Sequence, residues 1–189
     1  MDIKHETDQE MADRTHWMSV SDPYVRPRVG APDAWAQEAT QHGQAGAQAI
    51  REVAELEPPP DIATMLGLQP GQTAIARRRT MLLDNQPVEL TDSYYPASIA
   101  CGTRLAEPRK IPGGAVTLLT DLGYEPRHVV EEVSAREPTD QERQLLQLAV
   151  GEWVLVLSRV LKTDANLPIE VSVMTMIARG RHLRYALSL

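Results

Sequence analysis

The chain has 189 residues, a formal net charge of −7, 42% hydrophobic residues and a single cysteine, Cys101. This size and composition predict one globular domain with an appended segment. The lone cysteine excludes a disulfide within the chain and indicates a reducing cytoplasm. No apolar run approaches the roughly 20 residues of a membrane-spanning helix, and the first twenty residues lack the apolar core of a signal peptide.

The N-terminal third of the chain is acidic. Residues 1–60 hold five Lys or Arg residues against eleven Asp or Glu residues. Such a segment cannot supply the basic surface that contacts with nucleic-acid phosphates require. Three prolines between residues 23 and 32 favour extended backbone. We predict an acidic, disordered leader and extended arm over residues 1–32, and a linker segment over residues 33–60 that docks on the domain through Trp35.

The compact domain is expected over residues 61–189. Asp61 is predicted to N-cap a short helix that ends at Gly67, and a first hairpin follows over residues 73–83 and 88–95. Further predicted elements in chain order are a helix after Gly113-Gly114, a strand over residues 129–135, a helix with a capping box at Thr139 and Glu142, and a second hairpin over residues 152–163 and 168–178. About five antiparallel strands with helices on one side define an α+β fold.

The sequence lacks the constellations typical of enzymes and metal sites. Its five histidines have no partner at ligand spacing, and Cys101 is expected to be a buried thiol. Gly113-Gly114 lacks the Lys and Ser/Thr of a P-loop, so it fits either a plain helix start or a cradle for an anion. Glu131 and Glu132 point to opposite faces of a strand and cannot act as an acid/base pair. We predict no catalytic residue, no metal and no cofactor.

Two hairpins share one arrangement of charged residues. In each, an apolar strand carries an arginine, a polar turn follows, and a proline opens a second strand with a glutamate two places on. The two sets are Arg79, Pro87 and Glu89, and Arg159, Pro168 and Glu170. Charged side chains in strands that are otherwise buried are costly unless they meet partners or a ligand.

Alternation along the second strand of the first hairpin adds neutral polar groups to this picture. Thr91, Ser93 and Tyr95 share one face with Glu89. The rows can be a solvated face with one structural ion pair, or they can line a ligand site. Because the arrangement occurs twice, it favours a sheet that binds a small polar molecule.

A series of motifs resembles a known family by its order and spacing. The motifs are Leu66-Gly67-Leu68-Gln69-Pro70-Gly71, Arg77-Arg78-Arg79, Asp84-Asn85-Gln86-Pro87-Val88, Ser93-Tyr94-Tyr95-Pro96, Gly113-Gly114, Arg159 and Pro168-Ile169-Glu170. Together they resemble the UTRA effector-sensing domain of the HutC subfamily of GntR-type bacterial transcription regulators. The resemblance covers about residues 57–189.

The resemblance implies a chorismate-lyase-like α+β fold that binds a small metabolite, often an anion, and dimerises. The family's paired strand arginines fall on Arg79 and Met81, its acidic residue after Pro-Val falls on Thr91, and its late acidic residue falls on Glu170. Two of these positions have lost their charge. The resemblance therefore implies a less charged effector than a sugar phosphate.

Full-length relatives carry an N-terminal winged helix-turn-helix with a basic recognition helix. The acidic, proline-containing residues 1–60 do not fit that module. We therefore expect this chain to have no DNA-binding domain of its own and to make no direct contact with DNA. A full-length regulator is one expected partner, and a second copy of the chain is another.

We predict a homodimeric, cytoplasmic, effector-binding domain that acts in transcription regulation and is not an enzyme. Charge-assisted bonds from Arg79, Arg159 and Glu170 would orient the effector, and Thr91, Ser93 and Tyr95 would supply neutral hydrogen bonds. One alternative is a lyase or isomerase of small carboxylates on the same fold, with Glu170 as the acid/base group. A second alternative is a ligand-free dimerisation module.

Overall fold

The computed structural model describes residues 17–25 and 34–186, apart from the side chains of residues 22 and 23. Its centre is a six-stranded antiparallel sheet with the strand order β2-β3-β4-β7-β6-β5. The strands are β2 (Gly46–Leu56), β3 (Ala74–Leu83), β4 (Gln86–Pro96), β5 (His128–Arg136), β6 (Val154–Lys162) and β7 (Pro168–Ile177). Two short strands, β1 (Trp17–Val20) and β8 (Arg181–Arg184), form a separate parallel pair.

Short helices connect and cover these strands. They are α1 (Asp22–Val25), α2 (Ala34–Gln41), α3 (Pro60–Leu66), α4 (Ala97–Ala100), α5 (Gly114–Asp121) and α6 (Asp140–Leu145), with a 3₁₀ turn at Arg104–Ala106. The predicted α+β class with an antiparallel sheet is confirmed. None of the described helices is long and apolar enough to cross a membrane.

The same series of elements occurs twice along the chain. Strand, helix and hairpin follow one another as β2-α3-β3-β4 and again as β5-α6-β6-β7. The turns after the two helices also correspond, because φ is positive at Gly67 and Gly71 in the first unit and at Gln147 and Gly151 in the second. The two units meet where β4 pairs with β7. The doubled hairpin motif therefore reflects a duplicated βαββ architecture.

Helices pack on both faces of the six-stranded sheet, which corrects the prediction of about five strands with helices on one side. Ala74, Ala76 and Tyr94 face α3, with which they form a cluster that also contains Ile62 and Leu66. Their neighbours Ile75 and Tyr95 point the other way and pack against α4, α5 and the 3₁₀ turn. This alternation follows from the two-residue period of strands. It divides the protein into a helical face, covered by α3 and α6, and an opposite face, which we call the polar face.

The segment before the sheet packs over one end of the polar face. Trp35 is 3% exposed, and its ring nitrogen donates to the carbonyl of Leu82 at 3.1 Å. Gly46 lies so close to α2 that a Cβ there would approach the Cβ of Ala39 to 2.7 Å. Only glycine fits at this contact. The sheet begins here, ahead of Asp61, where the sequence suggests that the compact domain starts.

Several local predictions differ from the structure. Asp61 is not an N-cap, because α3 begins at Pro60 after Pro59 and has no side-chain cap; the fixed φ of proline already suits a first helical turn. The basic tail contains strand β8. The sequence pattern does not predict this strand, because its charged residues depart from the apolar alternation typical of strands. Cys101 is exposed rather than buried, since it follows the last residue of α4 at the surface.

The capping box at the start of α6 is confirmed and is joined to β5 by an ion pair. The backbone nitrogen of Glu142 donates to Thr139 Oγ1 at 3.2 Å, and that of Thr139 donates to Glu142 Oε2 at 2.8 Å. Arg136 donates to both oxygens of Glu142 at 2.7 Å. These bonds from Arg136, with those from Thr139, lower the pKa of Glu142 from 4.5 to about 2.

We expect Glu142→Gln to destabilise the protein at pH 7 and much less at pH 3. The folded-state pKa is depressed, so the contribution is fully present above the ordinary value of 4.5 and is lost as the pH falls towards 2. Urea denaturation at several pH values measures it, with the exposed Glu132→Gln as the control. A wild-type-to-variant difference that stays constant from pH 7 to pH 3 would contradict this linkage.

Candidate functional site

A row of polar side chains crosses the polar face at right angles to the strands. The residues are direct register partners on five neighbouring strands: Arg77 on β3, Ser93 on β4, Ser172 on β7, Arg159 on β6 and Glu131 on β5. Such a row in the centre of a covered sheet is unusual, because buried polar groups must satisfy one another or a ligand. It is the feature from which the site is built.

At the centre of the row, the hydroxyls of two serines link the guanidinium of Arg79 on β3 to the carboxylate of Glu170 on β7. Arg79 Nη2 donates to Ser93 Oγ at 3.1 Å, and Ser93 Oγ lies 2.7 Å from Ser172 Oγ. Ser172 Oγ donates to Glu170 Oε1 at 2.5 Å. Tyr95, which is 1% exposed, lies beside this chain, and burial together with the nearby carboxylate of Glu170 raises the pKa of its hydroxyl. We call these five residues the inner cluster.

Two charged atoms of the inner cluster have no hydrogen-bond partner within the described part of the chain. They are Nε of Arg79 and Oε2 of Glu170, both sealed from solvent. A buried polar atom without a partner costs about 1–3 kcal/mol, and more when the group is charged. Native proteins rarely keep such atoms without a reason, and a site for a ligand is one of the reasons.

Arg77 belongs to the row, although it was not among the predicted site residues. Its guanidinium donates to the carbonyl oxygens of Leu105 at 2.7 Å, Glu107 at 2.6 Å and Arg109 at 2.8 Å. Arg77 therefore holds the segment around the 3₁₀ turn against the sheet, and burial lowers the pKa of its guanidinium. Strand alternation could have identified Arg77, because it lies two residues before Arg79 and on the same face.

The pair of in-phase arginines in β3 is thus Arg77 and Arg79. The resemblance places the family's second arginine on Met81, but Met81 is 5% exposed in an apolar cluster with Trp17 and Trp35. Met81 therefore brings no charge to the polar face. Arg79 stands directly opposite Thr91, which settles the register of the first hairpin.

Arg159 lies at the far end of the row and has partners of its own. Its Nε donates to Glu131 Oε1 at 2.5 Å, and its Nη2 donates to Ser21 Oγ at 3.2 Å. The ring centroid of Tyr24 lies 5.8 Å from its Cζ. Burial alone would raise the pKa of Glu131, but Arg159 and the Ser21 hydroxyl lower it below the ordinary value. Arg159 is therefore held in a buried ion pair outside the inner cluster.

Thr91 lies on the other flank of the inner cluster. It donates to Glu89 Oε1 at 2.8 Å, and the other oxygen of Glu89 lies 3.6 Å from Arg181 Nη2. Glu89 corresponds to Glu170 in the duplicated unit, and each accepts a bond from the hydroxyl two residues further on. The two glutamates differ because strand β8 brings a cation to Glu89 alone.

Residues 17–25 cover the polar face, and we call them the covering segment. Ser21 donates to Glu131 Oε2 at 2.9 Å, and the hydroxyl of Tyr24 donates to Glu38 Oε2 at 2.6 Å. Val25 packs against the apolar cluster that contains Tyr95. Ser93, Tyr95 and Ser172 are at most 3% exposed, so the inner cluster is closed in this state and a ligand can reach it only if surrounding residues move.

A cavity of about 330 Å³ lies on the helical face between α3 and α6, away from the inner cluster. Nε of Arg51 also lacks a hydrogen-bond partner among the described residues, but the charges of this cavity are paired: Arg51 Nη2 lies 2.5 Å from Asp92 Oδ1, and Arg136 pairs with Glu142. The described residues contain no group of three or more His, Cys, Asp or Glu side chains that could hold a metal ion. The inner cluster is therefore the stronger candidate site.

The inner cluster is buried on the covered face of an α+β sheet, and two of its charged atoms have no hydrogen-bond partner. This arrangement is typical of a domain that binds a small molecule. The UTRA domain family matches residues 41–179, and the chain belongs to this family. The recognition made from the motifs is thereby confirmed.

Two kinds of relative support this assignment. An uncharacterised HTH-type transcriptional regulator of Streptomyces coelicolor is 41% identical over 115 residues, which are 59% of this chain and 43% of that protein. The effector domain of PhnF from Mycobacterium smegmatis has a similar fold, with a TM-score of 0.71 at 17% identity over 82% of this chain and 94% of that domain.

A further solved structure, the ligand-binding domain of a putative GntR-family regulator from Bordetella bronchiseptica, gives a TM-score of 0.66 at 24% identity. It covers 76% of this chain and 89% of that domain. The chain spans less than half the length of the curated relative that it matches. The two solved neighbours are an effector domain and a ligand-binding domain.

We expect Arg159→Met to cost about 3–5 kcal/mol of unfolding free energy at pH 7, because it leaves the Glu131 carboxylate buried without its cation. Both side chains are only 9% exposed. The double variant Arg159→Met/Glu131→Leu should recover most of the loss. Urea denaturation of the wild type, the single variants Arg159→Met and Glu131→Leu, and the double variant measures the coupling, and losses that simply add in the double variant would show that the pair is not coupled.

Proposed function

We propose that this chain is the effector-binding domain of a bacterial transcription regulator of the GntR family, HutC subfamily, and that the inner cluster binds the effector. The observation that carries the proposal is the pair of buried, unanswered atoms, Arg79 Nε and Glu170 Oε2. The UTRA family assignment supports the regulatory role. The effector is a small polar or anionic metabolite.

The predicted site residues contribute in two ways. Arg79, Ser93, Tyr95 and Glu170 belong to the inner cluster and would contact the effector directly through charge-assisted and neutral hydrogen bonds. Thr91 and Arg159 lie on its flanks and are bonded to Glu89 and Glu131. Effector binding would shift Thr91 and Arg159, and these two residues would in turn reposition Glu89 and Glu131.

Regulation requires that the effector bind two states of the protein with different affinity. The closed inner cluster and an opened one are two such states. The covering segment precedes the sheet in the chain, on the side where regulators of this family carry their DNA-binding module. No helix-turn-helix precedes β2 in residues 17–25 and 34–45. A cytoplasmic location, no direct DNA contact by this chain, and output through a full-length regulator complete the proposal.

A thermal-shift screen against a metabolite library tests the site. A ligand at 100 times its dissociation constant should stabilise the wild type by about 2.7 kcal/mol. We expect Arg79→Gln and Glu170→Gln to abolish the shift, and Arg127→Gln, whose side chain is 57% exposed in a surface ion pair, to leave it unchanged. No shift with any compound would refute effector binding and favour the ligand-free dimerisation module.

The proposed homodimer is best supported at β5, which forms one edge of the sheet. Val129, Val130 and Val133 on this strand are 40%, 52% and 47% exposed. An edge strand offers unpaired backbone groups to another strand, and exposed apolar residues strengthen such pairing. A second copy presents the same strand, and antiparallel pairing about a two-fold axis closes the assembly. Within the described chain, the opposite edge, β2, exposes no large apolar side chain to this degree.

Charged residues at this edge should dissociate the dimer. We expect Val130→Lys/Val133→Lys to sediment as a monomer with an unchanged circular dichroism spectrum, because two lysines on each copy would meet like charges and lose apolar contact. Leu122→Lys, at the end of α5, is the matched control, since Leu122 is 39% exposed away from the edge. A wild-type monomer, or a double variant that remains dimeric, would rule out this interface.

A further inference from the structure

We infer that the effector is a compact zwitterion, of which an α-amino acid is the simplest form. Its carboxylate would be bound by Arg79 and its ammonium group by Glu170. This inference rests on the proposed function, because it assigns a ligand class to the same inner cluster. It depends on the kind, number and spacing of the groups that this cluster leaves unanswered.

The two groups that each have an atom without a hydrogen-bond partner are opposite in charge. Arg79 keeps one free donor on a cation, and Glu170 keeps one free acceptor on an anion. In a desolvated site each charge is stabilised best by its opposite. An anionic ligand would pair with Arg79 but place a like charge beside Glu170. A cationic ligand would pair with Glu170 but place a like charge beside Arg79. A neutral polyol would bring no countercharge to either group, whereas a zwitterion answers both.

Arg77 does not change this balance, although it is a third charged group close to the inner cluster. Its guanidinium donates to four backbone carbonyl oxygens within residues 104–109. The charge of Glu107 also lies near enough to stabilise its cationic form. The demand for a ligand therefore comes from Arg79 and Glu170 alone.

The spacing of the two groups favours a compact ligand. The hydrogen bonds of 3.1, 2.7 and 2.5 Å through the two serines hold Arg79 Nη2 and Glu170 Oε1 no more than about 8 Å apart. A short ligand can therefore reach both side chains with a charge-assisted bond at each end. An α-amino acid is the simplest ligand that carries both charges on so short a frame.

The hydroxyls between the two charges fit the same ligand. Ser93 and Ser172 are 0% and 3% exposed and now bond mainly to each other and to the charged groups. A ligand that bridges Arg79 and Glu170 would take over these bonds without leaving a serine unpaired, because a hydroxyl can donate and accept. Val25 and its apolar neighbours close the site, so binding would also exclude water.

The test is differential scanning fluorimetry of the full chain against the twenty L-amino acids, followed by titration calorimetry with the most effective one. Its deaminated and decarboxylated analogues each carry one of the two charges, and 6-aminohexanoate carries both at a longer distance. We expect the amino acid to raise the melting temperature. We expect each of the three controls to bind at least tenfold more weakly.

Variants then locate the binding. Arg79→Gln and Glu170→Gln should each abolish the stabilisation by the amino acid. The double variant Arg79→Gln/Glu170→Gln keeps the shape of the cluster without either charge, so it serves if a single variant fails to fold. Arg127→Gln, in an exposed ion pair, is the control that should bind normally.

The outcomes separate this inference from the proposed function. If a metabolite that is not a zwitterion stabilises the protein in a manner that depends on Arg79 and Glu170, the zwitterion is wrong and the effector role stands. If an amino acid stabilises the wild type and the double variant equally, its site lies elsewhere and the inference is wrong. If a single-charge analogue binds as tightly as the amino acid, the two-charge argument is wrong. If no compound in either library shifts the wild type, the effector role fails as well.

Discussion

The antiparallel pairing of β4 with β7 is the constraint on which the candidate site depends. It joins the two βαββ units and sets Ser93 directly opposite Ser172. Through that one contact, an arginine from the first unit and a glutamate from the second become parts of one hydrogen-bonded chain. Neither unit contains the inner cluster alone. A register slip of one residue would turn one serine to the helical face and disconnect Arg79 from Glu170.

Duplication explains why the two hairpins look alike, and the surroundings explain why they behave differently. Glu89 and Glu170 occupy corresponding positions, and each accepts a hydroxyl bond from the residue two places on. Strand β8 then places Arg181 beside Glu89, while no described cation bonds Glu170. Similarly, Arg159 has Glu131 as its partner on the edge strand, whereas in the described part of the chain Arg79 bonds to the neutral side chains of Gln48 and Ser93. In the first unit Glu89 has a counter-charge and Arg79 does not, and in the second unit Arg159 has one and Glu170 does not. The two charges without a counter-charge therefore lie at the centre of the sheet.

The parts that could be predicted from the sequence are those with local causes. The alternating runs predicted both hairpins within a few residues, and the Thr139–Glu142 spacing predicted the capping box. The pairing of Arg159 follows from a local rule as well, since a guanidinium on an apolar face needs a partner. Strand β8 and the place of Ser21 could not be read in this way, because both depend on contacts between residues far apart in the chain. Arg77 was missed among three successive arginines, where only the strand phase distinguishes the buried ones from Arg78.

The two buried atoms without hydrogen-bond partners also suggest how effector binding at the inner cluster could act on the covering segment. In the closed state the protein bears the cost of two buried, unpaired charged atoms, so this state is less stable than its packing alone would make it. A ligand that answers both atoms removes that cost, but only after the residues that seal the cluster have moved. The covering segment is attached to the same row through Ser21, Arg159 and Glu131. Ligand binding at the centre and docking of the covering segment would therefore compete for one network of buried bonds, which is the differential affinity that a switch requires.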